Sequence, residues 1–458
     1  MTSWRAVNLR RAGLMSLTTI VIAAAGAAPA AADRVFTVRG AAAPGPARYD
    51  KVRVIEQGPR RARNTLVLVP GTSGGAAYFR PVAAAIAKRL NGWRVWSVDR
   101  RENRLEDHSA LDRALARQST PQDLFRYYLE WIGDPSITPH FEPVADAAVP
   151  YARRWGMGVA IRDLRKVVRA AGRGGGRVVL GGHSLGGTIT VAYATWDFGG
   201  RAGARDLDGL VLIDGGSSRS STLTRAGARQ QLDDLEQRSP WVDLTGAGLP
   251  WSAGVFNIVG STATRIEPDA PSVLGDWPFL PAELHPPVPA TNAGGYGYAF
   301  DHDTSPDSLR LIHMHIGSLA ASGDPRGWVD GELGTVQRAA AMFSGIRGID
   351  GTAWYHPVRL SIDGGAVNGG VRNGAQKMLG LRATHGEDVR VPIYAIETSL
   401  GAGRVLKGAR ALARRSHVRS RLVDRHRTYD HIDPLSAVPA ENAFVKTVIP
   451  FLRGLKIR

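Results

Sequence analysis

The sequence predicts an α/β protein: a doubly wound, mostly parallel sheet with a large cap or lid subdomain inserted after the strand that ends at Asp214. Three observations predict it. Short apolar runs recur between amphipathic stretches, and these runs are continuous rather than alternating, as in strands covered on both faces. Strand and helix alternate at a spacing that suits parallel crossovers. The alternation stops after Gly216 and resumes at Val391, and the residues between are too many for a structureless loop in a compact protein.

The first 32 residues read as an export signal. Arg5, Arg10 and Arg11 give a positive start, residues 14–28 are apolar and uncharged, and Ala30-Ala31-Ala32 is a small-residue cleavage site before Asp33. The apolar run is short and rich in Ala and Gly, which disfavours a retained membrane anchor. Arg10-Arg11 suits a twin-arginine route, but Gly13 sits where a bulky apolar residue is usual, so both export routes stay open. The expected destination is extracellular or the cell envelope.

After the signal, residues 48–57 carry an early strand or two. Residues 65–69 are a buried strand stopped by Pro70-Gly71. A helix follows over 79–90, with Pro81 in its first turn and Val82, Ile86 and Leu90 on one face. Residues 93–98 are a strand ending at Asp99. Residues 100–156 are an irregular excursion with one helix at 122–131. A helix at 159–171 aligns Ala160, Leu164, Val167 and Ala171, and leads into a strand at 177–180. A helix over 188–192 and a strand over 209–213 complete the first half. Residues 33–216 and 391–458 form the expected core, and 217–390 the expected cap. The core resumes with a strand at 391–396 ending at Glu397, a helix at 404–414, a strand near 420–423 and a last helix carrying Phe444, Val448 and Leu455.

Composition narrows the function. The chain has no cysteine, so no disulfide holds it and no lipidated cysteine anchors it. Its net charge is +17, and removal of the three signal arginines leaves about +14. The basic residues are spread along the chain, with no basic helix interleaved with aromatics, so a nucleic-acid partner is not expected. A basic surface suits peripheral attraction to an anionic envelope.

The chemistry centres on Gly182-His183-Ser184-Leu185-Gly186. Strand before and helix after place Ser184 on a sharp turn, with glycines that let strand and helix close together. A serine hydroxyl needs a base, and the base needs an orienting acid. His431 lies between the last strand and the last helix, and Asp433-Pro434 beside it favours a fixed turn, so it is preferred over His426 in the same loop. The acid is Asp214 or, alternatively, Glu397. Each ends a strand, and Asp214 is preferred because residues 399–401 hold no carboxylate. For an oxyanion, the expected donors are the N–H of Leu185 and that of Thr72 in Pro70-Gly71-Thr72-Ser73-Gly74-Gly75. That turn lacks the lysine of a phosphate-binding loop. His313-Met314-His315 share a face only on a strand, and no metal site is expected from them. The aromatics Trp251, Trp277, Tyr296, Tyr298 and Trp354 suggest an apolar acyl pocket, with simple core packing as the alternative.

On the serine pentapeptide, the Pro70-Gly71-Thr72 turn and His431 before the last helix, the chain resembles the alpha/beta-hydrolase superfamily, in its lipase and esterase branch. The resemblance covers residues 33–216 and 391–458. It implies a cofactor-free serine hydrolase that cleaves small-molecule or lipid acyl esters through an acyl-serine. The rivals are an amidase or peptidase of the same fold and a catalytically silent envelope-binding protein.

Overall fold

The computed structural model describes residues 33–217 and 223–455. The signal reading of residues 1–32 lies outside the described residues. The chain forms β1 (Arg34–Arg39), β2 (Lys51–Gln57), β3 (Asn64–Val69), β4 (Trp93–Asp99), β5 (Val178–His183), β6 (Gly209–Ile213), a separate hairpin of β7 (Gly317–Gly323) and β8 (Arg326–Asp330), then β9 (Ile393–Glu397) and β10 (Ser420–Asp424). Eight strands make one sheet in the order β1-β2-β4-β3-β5-β6-β9-β10. Only β2 runs against the rest, pairing antiparallel with both β1 and β4. Every other neighbour pair is parallel.

The continuous apolar runs follow from two covered faces. Val67 and Val69 of β3, Leu180 of β5, Leu210 and Leu212 of β6 and Ala395 of β9 point into one buried cluster, with helices Met157–Gly172, Leu185–Ala194 and Arg404–Arg415. Leu66, Leu68, Val179, Val211, Ile213, Tyr394 and Ile396 alternate with them and point into a second cluster, with helices Arg80–Arg89 and Ala443–Arg453. Side chains of a strand alternate sides, so a strand covered twice shows no polar positions in sequence.

The expected early strand at 48–57 is β2. β1 was not expected; it lies at the sheet edge, and most of its side chains are only part-buried. Residues 223–390 pack widely. Ala228, Leu360, Ala366 and Leu379 join the first cluster, and Ala293, Tyr296, Phe300 and Phe343 the second. A third cluster contains no strand residue. It joins Leu111, Phe125, Tyr128, Phe141 and Trp155 of the 100–156 excursion to Trp241, Trp251, Trp277, Trp354 and Tyr355. Trp251, Trp277, Tyr296 and Trp354 are therefore buried packing residues, and only Tyr298 of the five expected pocket aromatics is part-exposed. Among the described residues, no helix is long and apolar enough to cross a membrane.

Candidate functional site

The site lies at the C-terminal ends of the parallel strands. β5 ends at His183, and Ser184 turns directly into the helix Leu185–Ala194 with φ 54° and ψ −125°. A non-glycine residue there is strained, and the surrounding packing must hold it. Two glycines allow the turn. A Cβ on Gly182 would fall on the backbone of Gly186, and one on Gly186 would fall on the carbonyls of Val69 and Pro70. Gly186→Ala is accordingly expected to destabilise the chain by about 3 kcal/mol. Urea unfolding of the full chain checks this, and a loss under about 1 kcal/mol would contradict the close approach.

His431 is buried, and its Nδ1 lies 2.6 Å from Asp214 Oδ2. The carboxylate accepts, so Nδ1 carries a proton, and the tautomer that can act as a base is the one with its lone pair on Nε2. Asp214 also accepts from the Thr398 N–H at 2.8 Å and from the Thr398 hydroxyl. Burial works to raise the Asp214 carboxyl, but these donors outweigh it and hold the group below its usual value. Glu397 goes elsewhere: its Oε2 accepts the Leu406 N–H at 2.9 Å, and its buried Oε1 has no protein partner. His426 is exposed and pairs with Asp424 at 2.6 Å. Among the described residues, neither Ser184 Oγ nor His431 Nε2 takes a hydrogen bond from protein, and the two are not hydrogen-bonded to each other. Such bonds are commonly long before substrate binds.

The turn after β3 is held from one side. The buried Arg100 guanidinium donates to the carbonyls of Pro70 at 2.9 Å, Gly71 at 3.1 Å and Gly74 at 3.4 Å. A trans peptide points its N–H opposite to its C=O. Turning the Gly71 carbonyl to Arg100 therefore turns the Thr72 N–H away from it. Among the described residues, the Thr72 and Leu185 N–H groups donate to no partner. The Gly71 α-carbon packs against Ser184: a Cβ built there would meet the Ser184 Cβ at 2.8 Å. Residues 350–353 brace the same turn, with Gly75 N–H to Gly351 O at 2.9 Å and Ala353 N–H to Ser73 O at 2.7 Å.

Sequence reasoning missed a link through His183. Its Nε2 lies 2.9 Å from the His431 carbonyl, which can only accept, so Nε2 carries the proton. Its Nδ1 then accepts from the Tyr78 hydroxyl at 3.2 Å, and Tyr78 in turn accepts the Gly71 N–H at 2.7 Å. Burial and the neighbouring His431 push the His183 imidazole down to about 3, which keeps it neutral. One ring thus ties the turn after β3 to the backbone of His431. Two cavities, one walled by Val69, Arg100, Trp155 and Leu360 and the other by Asp112, Arg265 and Arg347, touch neither Ser184 nor His431.

The strand order, the single reversed strand β2, the serine turn after β5 and the histidine after β10 decide the architecture. It is the alpha/beta-hydrolase fold. No protein-family model and no curated protein matches the chain. Among solved structures, the chain is similar to a lipase candidate from Sulfolobus solfataricus, with 14% identity over 93% of this chain and 94% of that one and a TM-score of 0.48. It is also similar to a thermophilic esterase from Thermogutta terrifontis, with 14% identity, 92% and 99% coverage and a TM-score of 0.40. A third likeness is to an epoxide hydrolase from Vigna radiata, with 12% identity, 92% and 98% coverage and a TM-score of 0.40.

Proposed function

We propose that this alpha/beta-hydrolase-fold protein is an exported serine hydrolase that cleaves carboxylic esters through an acyl-serine intermediate. The observation that carries the reading is the buried Asp214–His431 hydrogen bond at the sheet edge that also bears Ser184 on its strained turn. In this reading Ser184 Oγ attacks the acyl carbonyl while His431 Nε2 takes its proton. The N–H groups of Leu185 and Thr72 receive the developing oxyanion. His431 returns the proton to the leaving alkoxide, which departs as alcohol, and water releases the acid by the same path. None of these steps calls for a cofactor.

Residues 217–390 are read as a cap. Residues 350–353 touch the turn after β3, and His302 and His315 touch the loop of His431. The partner is a small-molecule or lipid ester. The basic surface supports peripheral association with an anionic envelope.

A fluorophosphonate probe with a paired p-nitrophenyl ester and p-nitroanilide tests the reading. The expected result is labelling at Ser184 with ester turnover well above anilide turnover. Anilide turnover equal to or above ester turnover would make the protein an amidase. Folded protein that is neither labelled nor active would be a silent binder.

A further inference from the structure

We propose that His302, His315, Asp430 and Asp433 form a binding site for a divalent transition-metal ion of zinc's class, joining residues of the insertion to the loop that carries His431. The four side chains come from three separated stretches, and only folding brings them together. His302 Nδ1 lies 2.5 Å from Asp430 Oδ2. His315 Nδ1 lies 2.6 Å from Asp433 Oδ2 and 4.0 Å from Asp430 Oδ2. One ligand atom from each of His302, His315 and Asp430 lies within 4.8 Å of the others. Around tetrahedral zinc, bonds of about 2.0–2.2 Å separate neighbouring ligands by roughly 3.4 Å. Two of the present separations are shorter than that value and one is longer. An ion replacing the two Nδ1 protons therefore needs the ligands to spread, Asp433 to join the other three, and at least one of the two stacked rings to turn its Nδ1 lone pair toward the shared centre.

Charge supports the site independently. In a chain with net charge +17, these two buried carboxylates pair with no arginine or lysine among the described residues. Among the described residues, the two imidazoles are the ionisable side chains paired with them, and their rings stack 4.6 Å apart. The carboxylates are also aimed. Asp433 accepts the His315 N–H at 3.0 Å and the Asp430 N–H at 2.6 Å, and Asp430 accepts the Ser399 hydroxyl at 2.8 Å. Outer partners of this kind orient metal ligands. Two imidazoles with two carboxylates suit zinc or a neighbouring transition metal; calcium and magnesium prefer all-oxygen sets.

The sequence drew attention to His313-Met314-His315, and the structure separates that pair. His313 turns to the Pro306 carbonyl at 3.1 Å, and His315 finds His302 instead. A second convergence, Glu106 with His108 and Asp350, is already filled by donors from Asn103, Thr352 and Trp354.

The test titrates chelator-treated full-length chain with zinc chloride by calorimetry at neutral pH. Wild type is expected to bind one ion with a Kd in the micromolar range or tighter, and its melting temperature to rise with zinc. His302→Ala and His315→Ala should each weaken binding about tenfold or more. The His302 side chain is 47% exposed, so its variant should keep the fold. Magnesium chloride should give no saturable binding. Absence of saturable zinc binding in wild type, or equal binding in wild type and both variants, overturns the site. The calorimetric readout needs no turnover. Its failure leaves the hydrolase reading intact, and Ser184→Ala should bind zinc as wild type does.

Discussion

Ser184→Ala is expected to lower ester turnover by about 10⁴-fold or more while leaving the fold unchanged. Both halves follow from the site. The alanine keeps the Cβ that packs against Gly71, so the strained turn meets the same neighbours. The hydroxyl it removes makes no hydrogen bond to protein among the described residues, so its loss leaves no buried partner unsatisfied. Stability should therefore stay within about 0.5 kcal/mol of wild type. Chemistry has no such reserve. On the proposed reading, without the oxygen no acyl-serine forms, and His431 and the N–H groups of Leu185 and Thr72 retain only the weak assistance they give to water. Steady-state kinetics on p-nitrophenyl butyrate, with urea unfolding of the same preparation, check the two halves together. An activity loss of only a few-fold in folded protein would remove Ser184 from the nucleophile's role.

The sheet was legible because its strands are covered twice. Thr65-Leu66-Val67-Leu68-Val69 and Gly209-Leu210-Val211-Leu212-Ile213 feed alternate side chains into two different cores, so each is an unbroken apolar run in sequence. β1 escaped notice for the opposite reason: an edge strand with part-exposed side chains has no such run. The pentapeptide around Ser184 was legible because tight turns leave few residue choices: Gly182 and Gly186 stand where any Cβ would strike backbone. The rest of the site is assembled by long-range contacts that no local pattern encodes. Tyr78, His183 and His431 meet through bonds spanning 105 and 248 positions. Arg100 clamps the turn after β3 from the end of the next strand in sequence. The third aromatic cluster unites the 100–156 excursion with Trp241, Trp251, Trp277, Trp354 and Tyr355, and each segment alone reads as irregular chain. Tryptophans that suggested a substrate pocket are consumed by that packing.

Asp214→Asn is expected to cost about 10⁴-fold in kcat, and Glu397→Gln no more than a few-fold, although both residues are buried carboxylates at strand ends. Asp214 accepts from three donors: His431 Nδ1–H, the Thr398 N–H and the Thr398 hydroxyl. An asparagine has one accepting oxygen. With that oxygen turned to Thr398, its NH₂ faces His431 and can only donate. The ring must then accept at Nδ1 and carry its proton at Nε2, where it cannot take one from Ser184. Geometry survives and the base is lost, so the fall belongs to kcat rather than KM. Glu397 makes no contact of this kind. Its Oε2 holds the Leu406 N–H, and its other oxygen has no protein donor. The two carboxyl groups nevertheless crowd one spot: a Cβ on Gly401 would meet Glu397 Oε1 at 2.6 Å and Asp214 Oδ1 at 2.7 Å. Replacing Glu397 by glutamine thus changes a neighbour of Asp214 without touching the bond to His431. Any change it brings should appear in the unfolding midpoint before it appears in turnover. The order of the two kcat values therefore identifies the acid. A larger fall for Glu397→Gln than for Asp214→Asn would transfer the role to Glu397, which would require that carboxylate to swing away from Leu406 during catalysis.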